Sequence, residues 1–139
     1  MQVTALSCLW MVLLIGGFGR YQRPLVETEN ELIDLDRLKG VWVYHEFSEN
    51  RTCYRRNAQL PNDQYGFELK EGGKLLINQN SSRCGTIITY DLEEGTWKLE
   101  DDVLTLEYPY WGSKVEVIYE VTAQSADALC LGQIKRFYN

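Results

Sequence analysis

The sequence predicts an all-β fold: an eight-stranded antiparallel up-and-down barrel entered by a short N-terminal helix. Three observations carry that expectation. After Gly40 apolar and polar side chains alternate with a period of two, most cleanly at Val115, Val117, Tyr119 and Val121 against Glu116 and Glu120. Turn signals such as EGG, DLEEG, PYWG and TAQSAD break that alternation at short intervals. The stretches between them number eight, and eight short strands close into a barrel that leaves no exposed edge.

The chain begins differently. MQVTALSCLWMVLLIGGFG carries no charge, holds an apolar run from Leu9 to Ile15, and ends in Gly17-Phe18-Gly19 before Arg20. Residues 1–19 resemble a secretory signal peptide, so the protein is expected to be exported, periplasmic or secreted. The rival readings are an uncleaved membrane anchor, for which the run is short, and lipid attachment at Cys8. Residues 20–27 read as a linker and residues 28–139 as the barrel domain.

In TENELIDLDRLKG, Thr28 and Glu31 fit a capping box, Leu32, Leu35 and Leu38 make one narrow apolar face, and Arg37 and Lys39 sit where the helix dipole favours cations. Gly40 is the expected stop. The first strand follows at once, with Trp42 and Tyr44 on one face and Val43, His45 and Phe47 on the other. Residues 48–63 show no clean period, hold three arginines, and read as a long lid loop at the barrel mouth. The remaining strands are expected at QYGFELK, KLLINQN, TIITY, TWKLE, VLTLEY, KVEVIYEV and ALCLGQIKRFYN.

The 139 residues suit one domain, and a formal charge of −6 argues against nucleic acid or an anionic membrane as partner. Membrane contact is expected only through the N-terminal segment. His45 is the single histidine and has no ligand-spaced neighbours, so no metal, cofactor or catalytic constellation is expected and the protein reads as a non-enzyme. The acidic pairs Glu93-Glu94 and Asp101-Asp102 fall in separate turns.

Gly40-Val41-Trp42 after a short helix resembles the lipocalin signature. YGFELKEGGKLLINQN followed by GTWKLEDDVLTLEY, with its second glycine–tryptophan spacing at Gly95-Thr96-Trp97, is similar to the small bacterial lipocalin-like domains of exported proteins. The resemblance covers residues 35–139. It implies that Trp42 floors the barrel and that a last-strand cation, Arg136 in preference to Lys135, packs over the indole.

Counting strand parity from β-strand one places the lid loop, SSRCG, EDD and TAQSAD at the open end, and EGG, DLEEG and YPYWG at the closed end. Cys53 and Cys84 then share the open rim and are the expected disulfide, with Cys130 as the rival partner. YPYWG is expected to cover the floor. Tyr65, Phe67, Leu69, Trp97, Leu104, Leu106, Val117 and Tyr119 are expected to line or fill the interior. Arg51, Arg55 and Arg56 would receive an anionic head group at the mouth, or belong to a solvated polar loop. The functional expectation is a small apolar or amphipathic ligand held in the barrel. The alternative is a filled barrel that acts as a protein-interaction module.

Overall fold

Asp34 starts the first element of the computed structural model, which describes residues 32–82 and 87–139. Its carboxylate accepts hydrogen bonds from the amides of Asp36 (3.0 Å) and Arg37 (3.2 Å), which caps helix α1, Leu35–Leu38. The helix is therefore a single turn and does not run from Thr28. Thr28, Glu31 and the stretches read as signal peptide and linker lie outside the described residues. Strands follow as β1 (Gly40–Ser48), β2 (Arg51–Asn57), β3 (Gly66–Leu69), β4 (Lys74–Asn80), β5 (Tyr90–Glu100), β6 (Val103–Tyr110), β7 (Ser113–Gln124) and β8 (Ala128–Tyr138).

The eight strands close into an all-antiparallel barrel, the expected fold class, in the order β2-β1-β3-β4-β5-β6-β7-β8 and back to β2. One step departs from sequential order, because β3 pairs with β1 instead of β2. Residues 58–65 make the crossing over the outside of β1. There they cover Val41 and Val43, which are buried yet face away from the interior cluster around Trp42. Asn78, outward-facing on β4 and 4% exposed, donates from Nδ2 to the carbonyls of Pro61 (2.6 Å) and Gln64 (2.8 Å) and so fixes the far end of the crossing. Gly66 has to be small there, since a Cβ would lie 2.8 Å from the Trp42 carbonyl and 3.2 Å from Leu60.

The strand count holds, but two members differ from the sequence expectation. The segment expected as a lid loop contains β2, whose Thr52, Tyr54 and Arg56 face inward while Arg51, Cys53 and Arg55 face outward. DLEEG is not a turn but the upper half of the long strand β5. EGG stays at the lower end as expected, but joining two strands into β5 exchanges the ends of the turns that follow it. The Asp101-Asp102 and 125–127 turns lie at the lower end beside α1, and the Trp111-Gly112 turn lies at the upper end. A β-bulge at His45 also moves Phe47 to the same face as Tyr44, opposite Thr52.

The lower end is sealed by Trp42 and a cation, but that cation is Arg56 of β2 and not Arg136 of β8. Direct pairing of Trp42 with Arg56 brings the guanidinium 4.3 Å from the centroid of the indole. Trp42 Nε1 donates to Leu38 O (2.8 Å), and Arg56 donates to Lys39 O (2.9 Å), Ala126 O (2.6 Å) and Arg37 O. The carbonyls that a one-turn helix leaves without partners are thus taken by the floor itself. Gly40 has φ +125°, and a Cβ there would lie 2.3 Å from Arg56 Nη1. The glycine makes room for the guanidinium as well as supplying the conformation.

Above the floor the interior is packed. Trp42, Phe67, Ile77, Leu104, Leu106, Val115, Val117 and Leu129 are all 0% exposed, so no water-sized void borders them. The barrel is closed along its last seam by a disulfide between Cys53 and Cys130, which replaces the expected Cys53–Cys84 pair. The two cysteines stand directly opposite on β2 and β8, on the outer face, while their neighbours Tyr54, Leu129 and Leu131 point inward. Cys84 lies outside the described residues.

Two outcomes follow. Non-reducing peptide mapping recovers Cys53 linked to Cys130, and replacing both with serine lowers the unfolding free energy by about 2–4 kcal/mol in urea titrations. Arg56→Ala costs about 2–3 kcal/mol through its lost charge-assisted bonds, whereas Arg136→Ala costs only about 0.5–1.5 kcal/mol. The reverse order would place the floor cation on β8.

Candidate functional site

Strand register places Tyr44 and Phe47 of β1 and Gln133, Arg136 and Tyr138 of β8 on the inner side of the sheet, yet all five are exposed. Tyr44 is 46% exposed, Phe47 64% and Tyr138 59%. Inward-facing side chains that reach water define an open vestibule. It forms because β8 outgrows β2: their pairing ends at Arg51 and Gly132, and six further residues of β8 run on beside β7 alone. A register shift between Ile118 and Tyr119 falls at the same level.

Four tyrosines, on β2, β6, β7 and at the end of the crossing segment just before β3, meet beneath this vestibule. The rings of Tyr54 and Tyr65 lie 6.3 Å apart, tilted at 44°. Tyr54 also meets Phe67 edge-on at 4.9 Å. Tyr108 accepts a 3.2 Å hydrogen bond from Arg136 Nη2, and the same guanidinium lies 5.7 Å from the ring of Tyr110 and 5.8 Å from that of Tyr138. Burial pushes the phenols of Tyr54, Tyr65 and Tyr108 above their ordinary range, and that of Tyr119 up to about 12. Arg136 works in the opposite direction on Tyr108. Among the described residues Arg136 has no carboxylate within ion-pair distance.

On the other side of Tyr110 the barrel wall parts. β5 and β6 are paired only up to Thr96 and Glu107, while the upper half of β5 continues beside β4. Gly95 marks the last close approach, where a Cβ would lie 2.1 Å from the Glu107 carbonyl. The glycine of the second glycine–tryptophan motif is therefore there for backbone contact. Gln79 Nε2 bridges the gap to Pro109 O at 2.7 Å. Above it lies a cleft of about 280 Å³ lined by Gln79, Asn80, Ser81, Asp91, Glu93, Trp111 and Gly112. Trp111 caps it at 62% exposure, presented by a tight turn in which Trp111 (φ 49°) and Gly112 (φ 79°) are both left-handed.

Phe67, Leu69, Trp97, Leu104, Leu106 and Val117 belong to the packed core, with Trp97 Nε1 donating to Lys70 O at 2.9 Å. Tyr65 and Tyr119 belong to the polar cluster under the vestibule. Arg51 and Arg55 stand on the outer face of β2, where Arg51 pairs with Glu49 at 3.4 Å, so neither points into the mouth. Arg136, expected at the floor, is the cation in the mouth. Trp111, expected to cover the floor, stands at the open end. Tyr54 escaped the sequence reading, although its alternation with Thr52 and Arg56 was the signal for β2. Among the described residues no helix is long and apolar enough to cross a membrane, and no three His, Cys, Asp or Glu side chains gather as metal ligands would.

The tyrosine cluster sets a pH dependence. A phenol that stays neutral when folded but ionises near pH 10 when unfolded makes the unfolded chain bind fewer protons above that pH. Its contribution is complete below about pH 10 and is lost as pH rises towards the folded value, about 12 for Tyr119. Urea titrations at pH 9, 10 and 11 are expected to show stability falling by about 1 kcal/mol or more per pH unit above 10. Tyr65→Phe is expected to flatten that slope. No protein-family model, curated protein or solved structure matches the chain.

Proposed function

We propose that the protein is an exported, lipocalin-like binding protein that takes a small amphipathic ligand in the upper vestibule, not in a deep calyx. The packed interior leaves a long apolar molecule no room below the tyrosine cluster. The vestibule combines the two chemistries an amphiphile needs. Arg136 and the Tyr108 hydroxyl present polar groups to an acidic head, and Tyr44, Phe47, Tyr110 and Tyr138 present aromatic surface to its apolar part. The observation that carries this reading is Arg136, an inward-facing guanidinium whose described partners are tyrosines alone. The cross-strand disulfide is in keeping with an oxidising compartment.

Octyl phosphate, below its micellar concentration, is the test ligand. Saturable binding is expected by tryptophan fluorescence and calorimetry, weakened about tenfold or more by Arg136→Gln, the equivalent of at least one charge-assisted hydrogen bond. Equal binding by the variant would remove Arg136 from the site. A second reading has its own observation: the rim carries exposed Phe47, Ile88 and Trp111 over a filled core, which suits a protein-interaction module. Absence of any octyl phosphate binding would favour that reading.

A further inference from the structure

The mouth is electrically two-sided. Arg136 stands against one side of Tyr110, at 5.7 Å from its ring. On the other side Trp111 meets Tyr110 edge-on at 6.5 Å and closes the cleft whose wall holds Asp91 and Glu93. Cross-strand pairing of Glu93 with the core residue Ile77, and of Asp91 with Gln79, puts both carboxylates on the inner side of the sheet. Neither has a cationic partner within ion-pair distance among the described residues.

A cleft of about 280 Å³ with an indole on one wall and carboxylates on another is suited to an organic ammonium group. The ring face attracts the cation, and the carboxylates complement its charge. It would be a poor host for an anion, which the two acids repel. Arg136 discriminates the opposite way. The two halves share one aromatic wall, Tyr110 and Trp111, so a single molecule can touch both.

We infer that the vestibule ligand is a zwitterionic amphiphile, with its acidic group at Arg136 and its ammonium group in the Trp111–Asp91–Glu93 cleft. This rests on the vestibule reading above and adds the second charge. It also accounts for acidic residues in the upper half of β5, where a strand needs none. The cleft is wide enough for a methylated ammonium, and its opening between β5 and the β6–β7 turn gives the group a way in.

The experiment compares octyl phosphate, octylphosphocholine and octyltrimethylammonium on the full chain, each below its micellar concentration, by calorimetry. Octylphosphocholine is expected to bind at least tenfold more tightly than octyl phosphate. In the Asp91→Asn, Glu93→Gln double variant that ratio is expected to fall to within about twofold of one, and Trp111→Leu is expected to reduce it as well. Circular dichroism and the urea midpoint of each variant show that it is folded. If octylphosphocholine and octyl phosphate bind the native protein equally, the ammonium site is overturned while the anionic vestibule stands. If octyltrimethylammonium binds as tightly as the zwitterion, Arg136 has no part in recognition and the two-charge assignment fails. If none of the three binds, the vestibule reading itself is lost.

Discussion

The stack of Arg56 on Trp42 is the contact on which the barrel depends. It ties together four pieces of chain, only two of which, β1 and β2, already share a hydrogen-bond ladder at that point. Trp42 belongs to β1 and Arg56 to β2, and their polar groups reach the exit of α1 and the turn between β7 and β8. A short helix cannot satisfy its own last carbonyls. Here those carbonyls become acceptors that orient an indole and a guanidinium in face contact, where each group also shields the other's bonds from water. Lys39 adds an outer tie through Asp36 (2.9 Å) and Glu71 (2.7 Å), and Gln124 holds the backbone of Asp34 through two bonds. The lower end is therefore a polar lattice laid over an apolar column.

That lattice explains which parts of the fold were legible in the sequence. Trp42 announced a floor because a short helix stopped by Gly40 hands the chain straight to the first strand and sets the indole low in the barrel. The partner of Trp42 was not legible, because an inward arginine on β2 looks like the polar loop residues around it. Arg51, Arg55 and Arg56 read alike in one dimension, and only register separates the one that faces inward. The same ambiguity hid β2 and moved the lid, the rim arginines and the expected disulfide with it. DLEEG failed for the converse reason. Acidic residues and a glycine mark turns when a strand must be buried on one face, but the upper half of β5 borders an open cleft and has no such obligation. Outside β2, whose Tyr54 was missed, the core face was legible, since alternation fixes it whether its residues line a cavity or fill one.

The bulge at His45 and the shift near Tyr119 show how local irregularity shapes the vestibule. A regular β1 would have turned Phe47 outward. The extra residue turns it inward beside Tyr44, so the two strands flanking the β2 hairpin both offer aromatic rings to the open end. Such devices leave almost no mark on a single sequence, because one inserted residue does not alter composition and shifts a two-residue period by a single step.

Why the lower barrel is filled and the upper open is a matter of size. Eight strands enclose a space just wide enough for side chains to meet. A domain this small buries too little apolar surface to keep a large void and remain stable, since every missing contact weakens the core. Open inner surface is therefore found at the end where strands have unequal lengths. There β8 rises above β2 and β5 leaves β6, and each divergence exposes an inner face without hollowing the core. The tyrosine layer marks the boundary between the two regimes. Its rings extend the packing below, and the Tyr108 hydroxyl meets the guanidinium above. A phenylalanine layer would seal the core equally well but would offer Arg136 no acceptor, and an inward guanidinium over bare apolar rings has only its cation–π contacts to hold it. Tyr108 at that level is the acceptor that the arginine in the mouth requires.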